Sequence, residues 1–118
     1  MQSENRRCVI AIDFDDTITE YSEYPITGAL RPRAVEVIKK LQHHYDCILW
    51  TCRSGESLVE AIKILADAGI VFSYVNSSPI GCGTGPKILA DIYIDDKNFG
   101  CRVDWDEIEK KLITEAQL

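Results

Sequence analysis

The sequence predicts an α/β fold: a three-layer, doubly wound, Rossmann-like parallel sheet with helices on both faces. Three observations carry this. Short apolar runs without alternation recur along the chain, and such runs suit strands buried on both faces of a parallel sheet. Segments with helical apolar spacing fall singly between them, as right-handed crossovers require. Three of the runs stop abruptly in acids, hydroxyls or cations, and open α/β sheets bind ligands at such strand ends. The 118 residues are read as a single domain, 1–118, long enough to bury a core.

The polar residues 1–6 are expected to be loose. The first strand, Val9-Ile10-Ala11-Ile12, ends in Asp13, Asp15 and Asp16, three acids within four positions. Clustered carboxylates repel and raise one another's pKa unless a cation lies among them. Hard oxygen donors grouped this way suit Mg2+. Thr19 to Gly28 is a turn-rich connection containing Pro25, and its Tyr21 and Tyr24, with Phe14, are candidates to line an entrance. Pro32 opens a helix that carries Val35, Val37, Ile38 and Leu41, with Lys39 and Lys40 near the negative end of its dipole. His43 and His44 have no acid placed to orient them and read as solvent-facing.

Strand two is Cys47-Ile48-Leu49-Trp50, closed by Thr51 and Arg53. A helix with Leu58, Ile62 and Leu65 on one face stops at Gly69. Val71 to Val75 reads as the third strand and Asn76 to Pro86 as a long loop rich in glycine and proline. Ile92-Tyr93-Ile94 is the fourth strand, ending in Asp95-Asp96-Lys97. There is room for a short fifth strand near Cys101 to Val103. A final helix then starts at Asp104 or Trp105, with Glu107 placed for a capping box on Asp104.

A net charge of -6 argues against a broad nucleic-acid or membrane surface, and no apolar run approaches a membrane span. Arg6 and Arg7 precede an apolar run, but Asp13 interrupts it well short of a secretory core. The five cysteines, Cys8, Cys47, Cys52, Cys82 and Cys101, are scattered without a Cys-x-x-Cys pair, which disfavours zinc or a disulfide framework. Cys8 and Cys47 read as small core residues. The expected location is cytoplasmic.

In a parallel sheet the strand ends lie along one edge, so Asp13/Asp15, Thr51/Arg53 and Asp95/Asp96 converge, with Lys87 in reach from the foot of the long loop. Carboxylates for a metal, a hydroxyl donor and cations for an anion form the inventory of phosphoryl transfer. Gly81 to Lys87 is not a phosphate loop of the usual kind: the spacing is wrong, no Ser or Thr follows Lys87, and Pro86 removes an amide.

On these residues the chain resembles the haloacid dehalogenase superfamily. Asp13-Phe14-Asp15-Asp16-Thr17 is similar to its first motif, D-x-D-x-T, and Ile48-Leu49-Trp50-Thr51 to its second. Lys87 resembles the third-motif lysine, and Ile92-Tyr93-Ile94-Asp95-Asp96 the fourth motif. The likeness runs from about Cys8 to Asn98, with the four motifs in order. It implies a Mg2+-dependent phosphomonoester hydrolase in which Asp13 is the nucleophile and Asp15 the general acid and base. It also implies that Asp13, the backbone carbonyl of Asp15 and Asp95 hold the metal, with Asp96 either a further ligand or directly behind the ligands. Thr51 and Lys87 would bind the substrate phosphate, and Arg53, two residues beyond the second motif, is a further candidate for substrate contact. Neither interval between motifs has room for a separate cap domain. The resemblance then implies a large phosphorylated substrate, or a neighbouring subunit covering the site in a homo-oligomer.

Three alternatives stand beside this reading: a phosphotransferase using the same intermediate, a catalytically silent metal- and phosphate-binding regulatory module, and a phosphoacceptor receiver domain. The intact Asp13/Asp15 pair disfavours the last two. The acidic metal site disfavours a metal-free dehalogenase.

Overall fold

The computed structural model describes residues 7–23, 26–80 and 87–114. The loose start expected for residues 1–6, the entrance tyrosine Tyr24, Pro25, Cys82 and the Gly81 to Pro86 part of the long loop lie outside the described residues.

Four parallel strands, β1 (Val9–Asp13), β2 (Asp46–Trp50), β3 (Tyr74–Val75) and β4 (Ile92–Ile94), lie in the order β3–β2–β1–β4. The helices are α1 (Pro32–Leu41), α2 (Gly55–Asp67) and α3 (Trp105–Ile108), the last continuing into a π-helical turn over Glu109–Ile113. β1 is an inner strand, and its Val9, Ile10, Ala11 and Ile12 are wholly buried, as its unbroken apolar run demands. Successive side chains point to opposite faces. Ile10 and Ile12 join one apolar cluster, and Val9 and Ala11 a second, smaller one.

The two faces are covered differently. Buried residues of all three helices (Ala34, Val37, Ile38 and Leu41 of α1, Ala61 and Leu65 of α2, Trp105 of α3) belong to the Ile10/Ile12 cluster. On the Val9/Ala11 face the cover is Ile80, Ile88 and Ala90 from the connection between β3 and β4, with Trp50, Tyr74 and Tyr93 of the strands. The expectation of helices on both faces is therefore met on one face only, because that connection forms no helix among the described residues.

Two strands also differ from expectation. The third shrinks to Tyr74–Val75; before it Val71 is 74% exposed, while Phe72 packs against the larger cluster. The fifth is absent among the described residues. Cys101 takes a left-handed φ of 49° and donates its amide to the Asn98 carbonyl at 2.8 Å, a turn that an extended strand cannot contain. β4 consequently remains at the sheet edge.

The helix ends follow their local chemistry. Pro32 begins α1 without a side-chain cap, and Lys39 and Lys40 occupy its last turn. Gly69 closes α2 at φ 87°. Asp104 caps α3 by accepting from the amides of Asp106 and Glu107 at 3.1 and 3.2 Å, while the Glu107 carboxylate lies 3.9 Å from Arg102. Between β1 and α1 the chain makes a short excursion pinned by an antiparallel bridge between Thr19 and Leu30. A Cβ at Gly28 would stand 2.2 Å from the Glu20 carbonyl oxygen, so this close return requires glycine.

Cys47 is buried, but Cys8 is exposed rather than a core residue, because it precedes the first inner position of β1. The cysteines among the described residues are free thiols. His43 and His44 face solvent as expected. No helix among the described residues is long and apolar enough to cross a membrane.

Candidate functional site

The strand order sets the site. The connections from β1 lead outward through β2 to β3, then the chain returns past β1 to β4. A crevice between the carboxyl ends of β1 and β4 results, the usual ligand position of an open α/β sheet. Ile12 pairs with Ile94, so Asp13 and Asp95 are the next residues along two neighbouring strands.

A tight turn follows β1. Phe14, fully buried, accepts at its carbonyl from the amides of Thr17, Ile18 and Thr19 at 3.3, 2.9 and 3.2 Å. Asp16 at its bend has φ 63° and donates its amide to Thr19 Oγ1 at 3.0 Å. The turn carries Thr17 back toward Asp13. Thr17 Oγ1 lies 2.9 Å from Asp13 Oδ2 and 3.1 Å from Asp96 Oδ1, and it accepts from the Asp96 amide at 3.0 Å. One hydroxyl proton serves one carboxylate at a time, so Thr17 bridges the two acids without satisfying both. From the far end of the chain, Trp105 Nε1 donates to the Thr17 carbonyl at 2.9 Å and holds the turn down.

Carboxylate oxygens of Asp13, Asp95 and Asp96, all half-buried, lie within 4.8 Å of one another. Burial, reinforced by a hydrogen bond to Asp96 and the charges of Asp95 and Asp96, pushes the Asp13 carboxyl up to about 7, against the opposing bond from Thr17. Asp96 is also pushed up by burial, but bonds with Lys97, Asp13 and Thr17 outweigh this and hold it below the usual range. Lys97 Nζ reaches Asp96 Oδ2 at 3.0 Å. Hard oxygen donors whose mutual charge remains incompletely neutralised fit a divalent cation. These three aspartates could hold one.

Asp15 stands apart from that trio. Its carboxylate receives Arg53 Nε at 2.8 Å and Arg53 Nη2 at 2.7 Å. The side chain of Asp15 is thus held by an arginine through one lone pair of each oxygen, and its backbone carbonyl remains for the metal role that the resemblance implies. Arg53, a candidate for substrate contact, directs its guanidinium nitrogens to the Asp15 carboxylate and the Ser57 carbonyl. The Asp15 bonds also raise the guanidinium above its ordinary pKa.

Thr51 follows Trp50, the residue paired with Asp13, and so lies beside the acids at the same sheet edge. Its hydroxyl accepts from the Arg53 amide at 3.0 Å, which leaves its own proton to donate. Its amide donates to Asn76 Oδ1 at 2.8 Å. Lys87 is exposed, and its ammonium lies 5.7 Å from the centroid of the Tyr93 ring. Phe14 lies in the core under Arg53 rather than at an entrance, while Tyr21 is exposed. Sequence reasoning assigned no role to Thr17, Asn76, Lys97 or Trp105. Thr17 and Lys97 stand within or beside motifs and were findable; Asn76 and Trp105 reach the site only through tertiary contact.

No protein-family model matches the chain, and no curated protein does. A solved structure does match, that of a conserved protein coded by a locus from Bacteroides thetaiotaomicron, with 39% identity, a TM-score of 0.83 and coverage of 92% of each chain. At that identity over nearly the whole of both chains, this chain belongs to the same family as that conserved Bacteroides thetaiotaomicron protein.

Proposed function

We propose that the chain is a Mg2+-dependent phosphomonoester hydrolase of the haloacid dehalogenase type, acting through an aspartyl-phosphate on Asp13. The observation that carries this is the joint position of Asp13, Asp95 and Asp96, carboxylates within 4.8 Å at the ends of adjacent strands, with Asp15 two residues beyond Asp13. When bound by the three aspartates and the Asp15 carbonyl, Mg2+ supplies charge neutralisation for the phosphoryl oxygens.

A carboxylate oxygen of Asp13 attacks phosphorus, and the bond to the leaving oxygen breaks with its electron pair. That oxygen takes a proton from the Asp15 carboxyl. Water then attacks phosphorus and gives its proton to Asp15, the bond from phosphorus to Asp13 breaks, and both groups are regenerated. Thr51 donates to a phosphoryl oxygen and Lys87 neutralises the phosphoryl charge. Thr17, fixed between Asp13 and Asp96, keeps the nucleophile in its rotamer. A capless site is supported by the two intervals: among the described residues, the one after β1 holds the Thr19–Leu30 bridge and the one between β2 and β4 one helix and one strand.

Phosphate release from an aryl phosphate, measured with Mg2+ and in chelator, tests the reading. Turnover should require the metal. Cation-independent turnover would contradict it.

A further inference from the structure

Among the described residues, Arg53 is the one charged residue that is buried, with 2% of its surface exposed. A buried guanidinium is costly unless paired, and this one meets Asp15 in a two-pronged bond that engages both carboxylate oxygens, at 2.8 and 2.7 Å. Such a fork fixes the plane of the carboxylate as well as its distance. Each oxygen keeps a second lone pair for a reacting proton.

The guanidinium is itself held on several sides. Its carbon lies 5.0 Å from the centroid of Phe14, the residue between Asp13 and Asp15. Nη1 donates to the Ser57 carbonyl at 3.2 Å and reaches Glu60 Oε1 at 3.4 Å, both on α2. Nη2 also donates to Thr27 Oγ1 at 3.0 Å, and Thr27 donates to Glu60 at 2.9 Å. Thr27 belongs to the Thr19–Leu30 excursion, so one side chain ties β1's terminal turn, α2 and the excursion together.

We infer that Arg53 is a positioning residue: it acts through Asp15, setting where that carboxyl meets the leaving oxygen and the attacking water, and it ties that setting to the excursion through Thr27. The inference rests on the phosphatase reading and replaces the expectation that Arg53 binds the substrate phosphate. A phosphate-binding arginine would assist every phosphomonoester alike. An arginine that orients the proton donor matters most where the leaving oxygen needs a proton.

The test uses the full chain with Mg2+ and compares kcat/KM for phenyl phosphate, a poor leaving group, with that for 4-nitrophenyl phosphate, a good one. Arg53→Lys keeps the charge but loses the fork. It should lower kcat/KM for phenyl phosphate about ten- to a hundredfold more than for the nitrophenyl ester, a part of what a general acid contributes. Added to Asp15→Asn, and with the ratio read from the rate of the first phenol released because that variant stalls afterwards, the same substitution should change it by less than about twofold, since its partner is gone. Thr27→Val should shift the ratio in the same direction by less, and it carries the test if Arg53→Lys does not fold. Equal losses on both esters, or a full further loss in the double variant, would overturn the inference while the phosphatase reading stands. A wild type inactive on both esters would overturn the reading and the inference together.

Discussion

Asp13→Asn should abolish Mg2+-dependent phosphate release, a fall of about a thousandfold or more, yet leave a metal-free protein that melts higher than wild type at neutral pH. The loss follows from removing the nucleophile. The gain follows from the raised Asp13 pKa. The carboxyl sits at about 7 when folded, against 3.8 ordinarily, with burial as the main cause and Asp95 and Asp96 adding to it. Between those values the folded chain binds more protons than the unfolded one, so stability falls as pH rises through the window. Asparagine removes that dependence. Melts in chelator should show the wild type losing stability from pH 4 to 7 relative to the variant, and parallel curves would refute the assignment. Added Mg2+ should raise the melting temperature of the wild type at pH 8 and do so less as pH falls through about 7, where protons compete for Asp13.

Trp105→Ala should be among the most destabilising single changes, costing about 3–5 kcal/mol for the loss of a buried aromatic. The indole is only 5% exposed, packs with the α1 and β1 residues of the larger core cluster, and donates to the Thr17 carbonyl. Its removal also frees the turn that places Thr17 between Asp13 and Asp96. Trp105→Phe separates the two effects. It keeps most of the packing, should cost about 1–3 kcal/mol through the orphaned carbonyl, and should still weaken Mg2+ binding. Urea denaturation and metal titration read the two quantities apart. A phenylalanine variant with unchanged metal affinity would show that the indole serves packing alone.

The contrast between what was legible and what was not has a physical basis. β1, β2, β4 and α1 were legible because each is written in a contiguous apolar run or a 3.6-residue pattern with its own boundary residues. Helices on both faces were expected from alternation, but which face a connection covers depends on strand order, and the β3–β4 connection covers its face with Ile80, Ile88 and Ala90 instead of a helix. The fifth strand failed on a left-handed Cys101, which the three residues Cys101 to Val103 do not announce. The convergence of Asp13 with Asp95 and Asp96 was legible from strand ends alone. The destination of Arg53 was not, since spacing brings a guanidinium to the edge without saying whether it faces solvent or a carboxylate. The Trp105–Thr17 bond spans 88 residues, and no local pattern encodes it.

The most direct test of the proposed chemistry is a rapid-quench experiment on Asp15→Asn with 4-nitrophenyl phosphate and Mg2+. Nitrophenolate leaves without a proton, so Asp13 should still be phosphorylated, while the missing base stalls attack by water. The expected result is a burst of about one equivalent of nitrophenolate, with the phosphoryl group on the peptide that carries Asp13. A variant that turns over without a burst, or a phosphoryl group found on any other residue, would contradict the assignment of Asp13 as nucleophile.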